Sequence, residues 1–191
     1  MKSRYKQLWK LAKPFYLKGR PCDIVHVSWM MRQANLLCKK EKIDESILIP
    51  LVILHDIGYA ITEQTYYEKE KKKAHMIEGA KLAKQLLKQI NYDFDKINQI
   101  CSYIKIHDNW IFGETEIYEN DKLLGIFHDL DFLWVTSENG FSFMIGALKK
   151  TRNQFIKELK QEASQKKFAT QSTKEIFNKN IQLIVRRNLL K

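Results

Sequence analysis

The chain has 191 residues, of which 45% are hydrophobic and 12% aromatic, so it can bury a sizeable core and differs from a disordered chain. Its 7 glycines and 3 prolines are too few for the many tight connections of an all-β sandwich. The formal net charge is +11 at pH 7, and no apolar run approaches the roughly 20 residues that a membrane-spanning helix needs.

Helical patterns dominate the chain from its N-terminus onward. Apolar residues at helical spacing predict helices over 4–17, 23–40, 44–55, 73–90, 93–107 and 117–135. Pro50 lies too deep for the first turn of its helix, which predicts a late start or a bend, and Gly58 is expected to end that helix. The polar stretches 60–72 and 108–116 predict loops.

The C-terminal region predicts two further helices within 139–190. The second is signalled by Ser172-Thr173-Lys174-Glu175, a capping-box sequence ahead of an apolar run. The sequence has no internal repeat and no glycine-rich phosphate loop. We therefore expect an all-α fold, with a helical bundle over 1–138 and a basic two-helix extension over 139–191 packed on or beside it.

Positive charge is concentrated at the two ends of the chain. Residues 1–22 carry a net charge of +7 and residues 149–191 carry +9, whereas 23–148 carry −5 and contain all 5 histidines. Basic ends favour anionic partners such as phosphates, nucleic acid or lipid headgroups. They are equally typical of a solvated face that keeps a protein soluble. Nucleic acid is therefore a candidate partner of the basic ends.

Cysteine usage and the N-terminus predict the compartment. The cysteines at Cys22, Cys38 and Cys101 are odd in number and lack CxxC spacing, which is typical of free thiols in a reducing environment. The basic N-terminal segment lacks the continuous apolar stretch and the cleavage site of a signal peptide. We therefore expect a cytoplasmic protein.

Four of the five histidines lie on the predicted core-facing sides of four different helices. They are His26, His55, His75 and His107. A single histidine on an apolar face is usually a core residue with a hydrogen-bond partner. Four of them in one small core are costly, because each buried imidazole needs such a partner or a metal ion. Imidazole is a common nitrogen ligand of metals, so the pattern predicts a metal site.

Carboxylates are expected to complete this site. The dipeptide His-Asp occurs at His55-Asp56, His107-Asp108 and His128-Asp129, and the first of these follows an apolar run and precedes a glycine. On the helix predicted over 117–135, Asp131 lies at the edge of the apolar stripe, Asp129 on its far side and His128 sideways. The pattern predicts Asp131 as a ligand, with Asp129 as the alternative, and His128 at the surface.

The order His26, His55-Asp56, Asp131 resembles the H…HD…D signature of the HD-domain superfamily of metal-dependent phosphohydrolases. The surrounding segments are similar to successive blocks of a bacterial HD subfamily, namely YLKGRPCDIVH, IPLVILHDIGYA, AHMIEGAKLAKQLL, IKIHD and NDKLLGIFHDLDFLW. The resemblance covers about residues 14–134. In its last block the second acid is the ligand, which agrees with Asp131, although Leu130 stands where the family usually has a small residue.

The resemblance implies a site for one or two divalent transition-metal ions, such as Mn, Fe, Co, Ni or Zn. It implies a first ion bound by His26, His55, Asp56 and Asp131, and a second bound by His75 and His107 with Asp56 bridging the two. The implied reaction is hydrolysis of a phosphate ester, with nucleotides as candidate substrates, by water that the metal activates at His55 and Asp56. The expected partner is thus a small phosphorylated molecule.

Some functional assignments stay open at this point. Arg20, in the loop before the second helix, is a candidate phosphate contact, and a surface or capping arginine is the alternative reading. Six-ligand sites that bind two irons also support oxygenases in this superfamily, and a non-catalytic module that binds through the basic ends is a third possibility. Four loop aromatics could stack on a nucleotide base or pack locally; they are Tyr66, Tyr67, Trp110 and Phe112.

Overall fold

The computed structural model describes residues 2–65 and 68–189, with side chains described as far as Arg187. Of these residues 78% are helical and none lies in a strand, which confirms the predicted all-α fold. No helix among these residues has both the length and the apolar composition needed to cross a membrane.

The described residues form ten α-helices and two short 3₁₀ helices. The α-helices are α1 (Ser3–Lys18), α2 (Asp23–Glu41), α3 (Glu45–Leu54), α4 (Lys69–Gln89), α5 (Phe94–Ile104), α6 (Glu116–Asn120), α7 (Lys122–Trp134), α8 (Glu138–Ala147), α9 (Arg152–Gln165) and α10 (Gln171–Leu189). The 3₁₀ helices are Ile57–Ala60, between α3 and α4, and Asn109–Phe112, between α5 and α6.

Several predicted boundaries are wrong in the first half of the chain. The helix α3 ends at Leu54, and Gly58 lies inside the following 3₁₀ helix instead of ending α3. The loop predicted over 60–72 is shorter, because α4 begins at Lys69 with a run of residues that favour helix. The loop predicted over 108–116 contains the second 3₁₀ helix.

The C-terminal prediction of two helices is also wrong, because the described residues form three helices after residue 137. Thr151 and Gln154 form a capping box at the start of α9. Ser172 does not cap α10; the Thr170 hydroxyl accepts a hydrogen bond from the backbone of Thr173 at 3.2 Å instead. The helix predicted over 117–135 is interrupted at Asp121, whose carboxylate caps α7.

The chain divides into two compact units, Met1–Ile117 and Tyr118–Lys191. In the first unit, α3 packs against α1, α2 and α5, and its residues from Ser46 to Leu54 are all buried. In the second unit, α10 packs against α7 and α9. The predicted division into domains 1–138 and 139–191 stays a prediction.

The buried helix α3 needs partners for several of its carbonyl groups. Asp44 caps its first turn, so the helix does not start late in spite of Pro50. Because Pro50 has no N–H, the carbonyl of Ser46 loses its helical partner, and the hydroxyl of Tyr92 donates to that oxygen at 2.7 Å. A carbonyl in the last turn of α3 also has a side-chain partner, since the hydroxyl of Tyr16 donates to the Ile53 carbonyl at 2.9 Å.

Gly58 permits a close approach between the first 3₁₀ helix and α4. A Cβ atom at this position would lie 2.0 Å from the carbonyl oxygen of His75 and 2.8 Å from the backbone nitrogen of Gly79. Both are backbone atoms that cannot move independently of α4. The absence of a side chain at Gly58 therefore sets the distance between α4 and the segment that follows Asp56.

We expect Gly58→Ala to lower the free energy of unfolding by about 3 kcal/mol, because the new methyl group overlaps the backbone of α4. Gly146→Ala is the matched control, since nothing lies within 4 Å of a Cβ atom there; its effect should be neutral or stabilising by up to about 1 kcal/mol. Urea denaturation followed by circular dichroism measures both. Equal effects of the two substitutions would contradict this account of the packing.

Candidate metal centre

Helices α2 and α4 and the turns that follow α3 and α5 bring a set of imidazole and carboxylate groups together in the first unit. His26 lies on α2, His55 directly follows α3, and Asp56 precedes the first 3₁₀ helix. His75 lies on α4, and His107 lies in the turn after α5. All five side chains are buried.

The carboxylate of Asp56 lies at the middle of this cluster, and its two oxygens face different imidazoles. Its Oδ1 lies 3.3 Å from Nε2 of His75 and 3.5 Å from Nε2 of His107. Its Oδ2 lies 3.4 Å from Nε2 of His55. The ring of His26 meets the ring of His55 edge-on, with 5.3 Å between their centroids.

The ligand atoms of the cluster form two groups, and Asp56 belongs to both. One group is Asp56, His75, His107 and Asp108, and the other is His26, His55 and Asp56. Within each group the potential ligand atoms lie within 4.8 Å of one another, so the cluster could hold a metal ion. The predicted buried His/Asp cluster is therefore present.

Backbone carbonyls fix the orientation of two of the imidazoles. Nδ1 of His55 lies 3.0 Å from the Val52 carbonyl oxygen, and Nδ1 of His107 lies 2.7 Å from the Ile104 carbonyl oxygen. A carbonyl oxygen only accepts, so each Nδ1 carries a proton and each Nε2 faces Asp56. These oxygens are at the C-terminal ends of α3 and α5, where carbonyls lack helical partners.

This arrangement fits a cation. An Nε2 lone pair and a carboxylate oxygen repel each other at these distances, so the cluster needs either a proton on the imidazole or a metal ion between the two atoms. Burial raises the pKa of Asp56, but the imidazoles of His55, His107 and His75 outweigh it and keep that pKa well below its usual range. Burial lowers the pKa of His75, which favours the neutral imidazole that metals bind.

Three further residues border the cluster and were missed by the sequence analysis. Asp108 Oδ2 lies 3.4 Å from Nε2 of His75, and Lys72 Nζ lies 2.6 Å from that same oxygen. The ring of Tyr59 stacks on His75 with 4.1 Å between centroids. The sequence contains a signal for Asp108 and one for Lys72. Asp108 belongs to a second His-Asp dipeptide, and Lys72 lies one helical turn before His75.

Arg20 is paired within the first unit. Its Nη2 donates to Asp23 Oδ1 at 2.9 Å, and its guanidinium lies 4.5 Å from the centroid of the Tyr59 ring. Burial opposes the charge, yet Asp23 and Asp56 raise the pKa of Arg20 well above its usual value. These contacts keep the guanidinium charged and oriented, and the predicted phosphate contact stays a prediction.

The acids of α7 lie in the second unit and differ in their surroundings. Asp129 is 1% exposed, so the side of α7 opposite the predicted apolar stripe is also buried, which the sequence pattern did not predict. Its carboxylate accepts from Thr173 at 2.6 Å and from the backbone N–H of Ala169 at 2.7 Å, and Lys166 Nζ lies 3.1 Å away. The carboxylate of Asp129 thus has three partners within the second unit, and half-buried Asp131 as a metal ligand stays a prediction.

The remaining sequence predictions concern aromatic rings and the fifth histidine. His128 is half-buried, and its ring stacks on Tyr118 with 4.0 Å between centroids, so it is not a simple surface residue. Trp110 donates from Nε1 to Asp108 Oδ1 at 2.9 Å. Tyr66 and Tyr67 lie outside the described residues.

A comparison of the chain with models of protein families identifies its family. The family model for the HD domain matches residues 24–133, which is more than half of the chain. The chain therefore belongs to the HD-domain family. No curated protein and no solved structure matches it.

Two substitutions on α7 distinguish its acids. We expect Asp129→Asn to lower the free energy of unfolding by about 3 kcal/mol, because Lys166 loses the charge of a buried partner, with metal content per folded chain unchanged. Asp131→Asn should lower metal content with a smaller effect on stability. Denaturation curves and elemental analysis give both quantities. If metal content followed Asp129 instead, the choice of Asp131 would be wrong.

Proposed function

We propose that this protein is a metal-dependent phosphohydrolase that acts on a phosphate ester, with nucleotides as the candidate substrates. The observation that carries the proposal is the placement of the two Asp56 oxygens, each of which faces a different set of buried imidazoles. One carboxylate between two groups of nitrogen ligands is suited to a bridge between two ions.

His26, His55 and Asp56 would bind the first ion, with Asp131 as the proposed further ligand, and His75 and His107 with Asp56 would bind the second. Neutral imidazoles and carboxylates suit divalent Mn, Fe, Co, Ni or Zn. When bound, such ions lower the pKa of a coordinated water toward neutrality and offset negative charge on a phosphoryl group.

The residues of the chain prepare this site in three ways. The carbonyls of Val52 and Ile104 orient the imidazoles of His55 and His107, so little reorganisation is needed when a ligand binds. Burial of the cluster limits competition from bulk water and strengthens electrostatic interactions. Arg20 is the proposed phosphate contact, because its charged guanidinium is fixed against the Tyr59 ring.

Metal content tests the site directly. Protein purified anaerobically without chelators should contain one or two transition-metal ions per chain, and His55→Ala and Asp56→Ala should each lose most of that metal. His128→Ala is the matched control, because this histidine stacks on Tyr118 in the second unit and should leave metal content unchanged. Protein that stays empty after incubation with each ion would overturn the proposal.

Phosphate release tests the reaction. The metal-loaded protein should hydrolyse some members of a panel of phosphomonoesters and nucleotides, and His55→Ala and Asp56→Ala should lower the rate by about a hundredfold or more. His128→Ala should retain the wild-type rate. A protein with two irons per chain that consumes O₂ and releases no phosphate from any member of the panel would contradict hydrolysis and favour the oxygenase.

A further inference from the structure

A buried ion pair borders the group formed by His75 and His107. Lys72 and Asp108 are 8% and 2% exposed, and Nζ of Lys72 lies 2.6 Å from Asp108 Oδ2. The other carboxylate oxygen, Oδ1, accepts a hydrogen bond from Nε1 of Trp110 at 2.9 Å. Both oxygens of Asp108 therefore have defined partners, and the carboxylate is fixed in orientation.

The oxygen that binds Lys72 is also the oxygen that faces the imidazoles. Asp108 Oδ2 lies 3.4 Å from Nε2 of His75 and 3.6 Å from Nε2 of His107. Together with Asp56, these residues make up the group whose ligand atoms lie within 4.8 Å of one another. Asp108 Oδ2 thus borders two different cation positions. One is occupied by the Lys72 ammonium, and the other is the position of an ion between the imidazoles.

Two cations at this oxygen would repel each other strongly, because the pair is buried and little screened by solvent or salt. A divalent ion also carries twice the charge of an ammonium group. The side chain of Lys72 has a flexible stem of four carbons, so its ammonium can move away from Asp108 without movement of α4. Trp110 offers a nearby position, since Nζ already lies 6.0 Å from the centroid of its ring.

We propose that Lys72 is the resident cation of the second ion position, paired with Asp108 until a divalent ion displaces it and takes Asp108 as an additional ligand. The proposal rests on the proposed function, because it concerns the second ion of that site. Occupancy of this position is then an exchange of cations, because the second ion has to compete with Lys72 for Asp108 Oδ2.

Zinc binding to three proteins tests the exchange. Calorimetric titration and equilibrium dialysis with Zn²⁺ should show one tight and one weaker ion in the wild type. Lys72→Met should bind the second ion about tenfold more tightly, because the competing charge is gone. Lys71→Met is the matched control, since Lys71 pairs with Glu63 and Glu68 at the surface and should behave as the wild type.

The carboxylate is tested separately. Asp108→Asn should weaken the second ion and leave the first unchanged, because the amide is a poorer ligand than the carboxylate. A second ion that is lost or unaltered in Lys72→Met would overturn the exchange while the metal site itself stood. A wild type that binds no zinc at all would overturn the proposed function and this inference together.

A measurement on the wild type covers the case in which Lys72→Met does not fold. Side-chain NMR of ¹⁵N-lysine-labelled protein follows the ammonium of Lys72 during a zinc titration. Its signal should shift with the second equivalent of zinc and stay unchanged with the first. A Lys72 signal that is constant through both equivalents would show that the ion pair persists, which contradicts displacement.

Discussion

The structure of the first unit depends on a buried carboxylate, Asp56, that must be matched by positive charge. Its two oxygens face imidazoles from three different segments, so the cluster is stable only with protons or metal ions between these groups. Neighbouring backbone groups hold the imidazoles in place around Asp56. Helix-end carbonyls orient His55 and His107, and Gly58 lets α4 approach closely enough to place His75 beside Asp56.

The apolar helix α3 explains how a polar cluster can exist in the core of a small protein. Its residues from Ser46 to Leu54 are buried, which stabilises the unit through the hydrophobic effect and offsets the cost of burying the charged groups at its end. The proline within it would leave a carbonyl unsatisfied, and Tyr92 supplies the missing donor. The helix α3 is therefore buried along its length and places His55 and Asp56 at its C-terminal end.

Much of this arrangement could be predicted from the sequence. Periodicity predicted the helices of the first unit, and four histidines on apolar faces together with His55-Asp56 indicated the buried cluster of potential metal ligands. The pairing of Lys72 with Asp108 could not be found this way, because 36 residues separate them and only packing brings them together. The burial of Asp129 was missed for a similar reason, since Lys166 and Thr173 approach it from distant parts of the chain.

The central claim is that Asp56 lies between two ion positions, and anomalous diffraction from crystals soaked in saturating Zn²⁺ tests it most directly. The account predicts two zinc peaks, one near Asp56 Oδ2 beside His26 and His55, and one near Oδ1 beside His75 and His107. Zinc bound elsewhere on the protein, with no peak within ligand distance of either Asp56 oxygen, would contradict it.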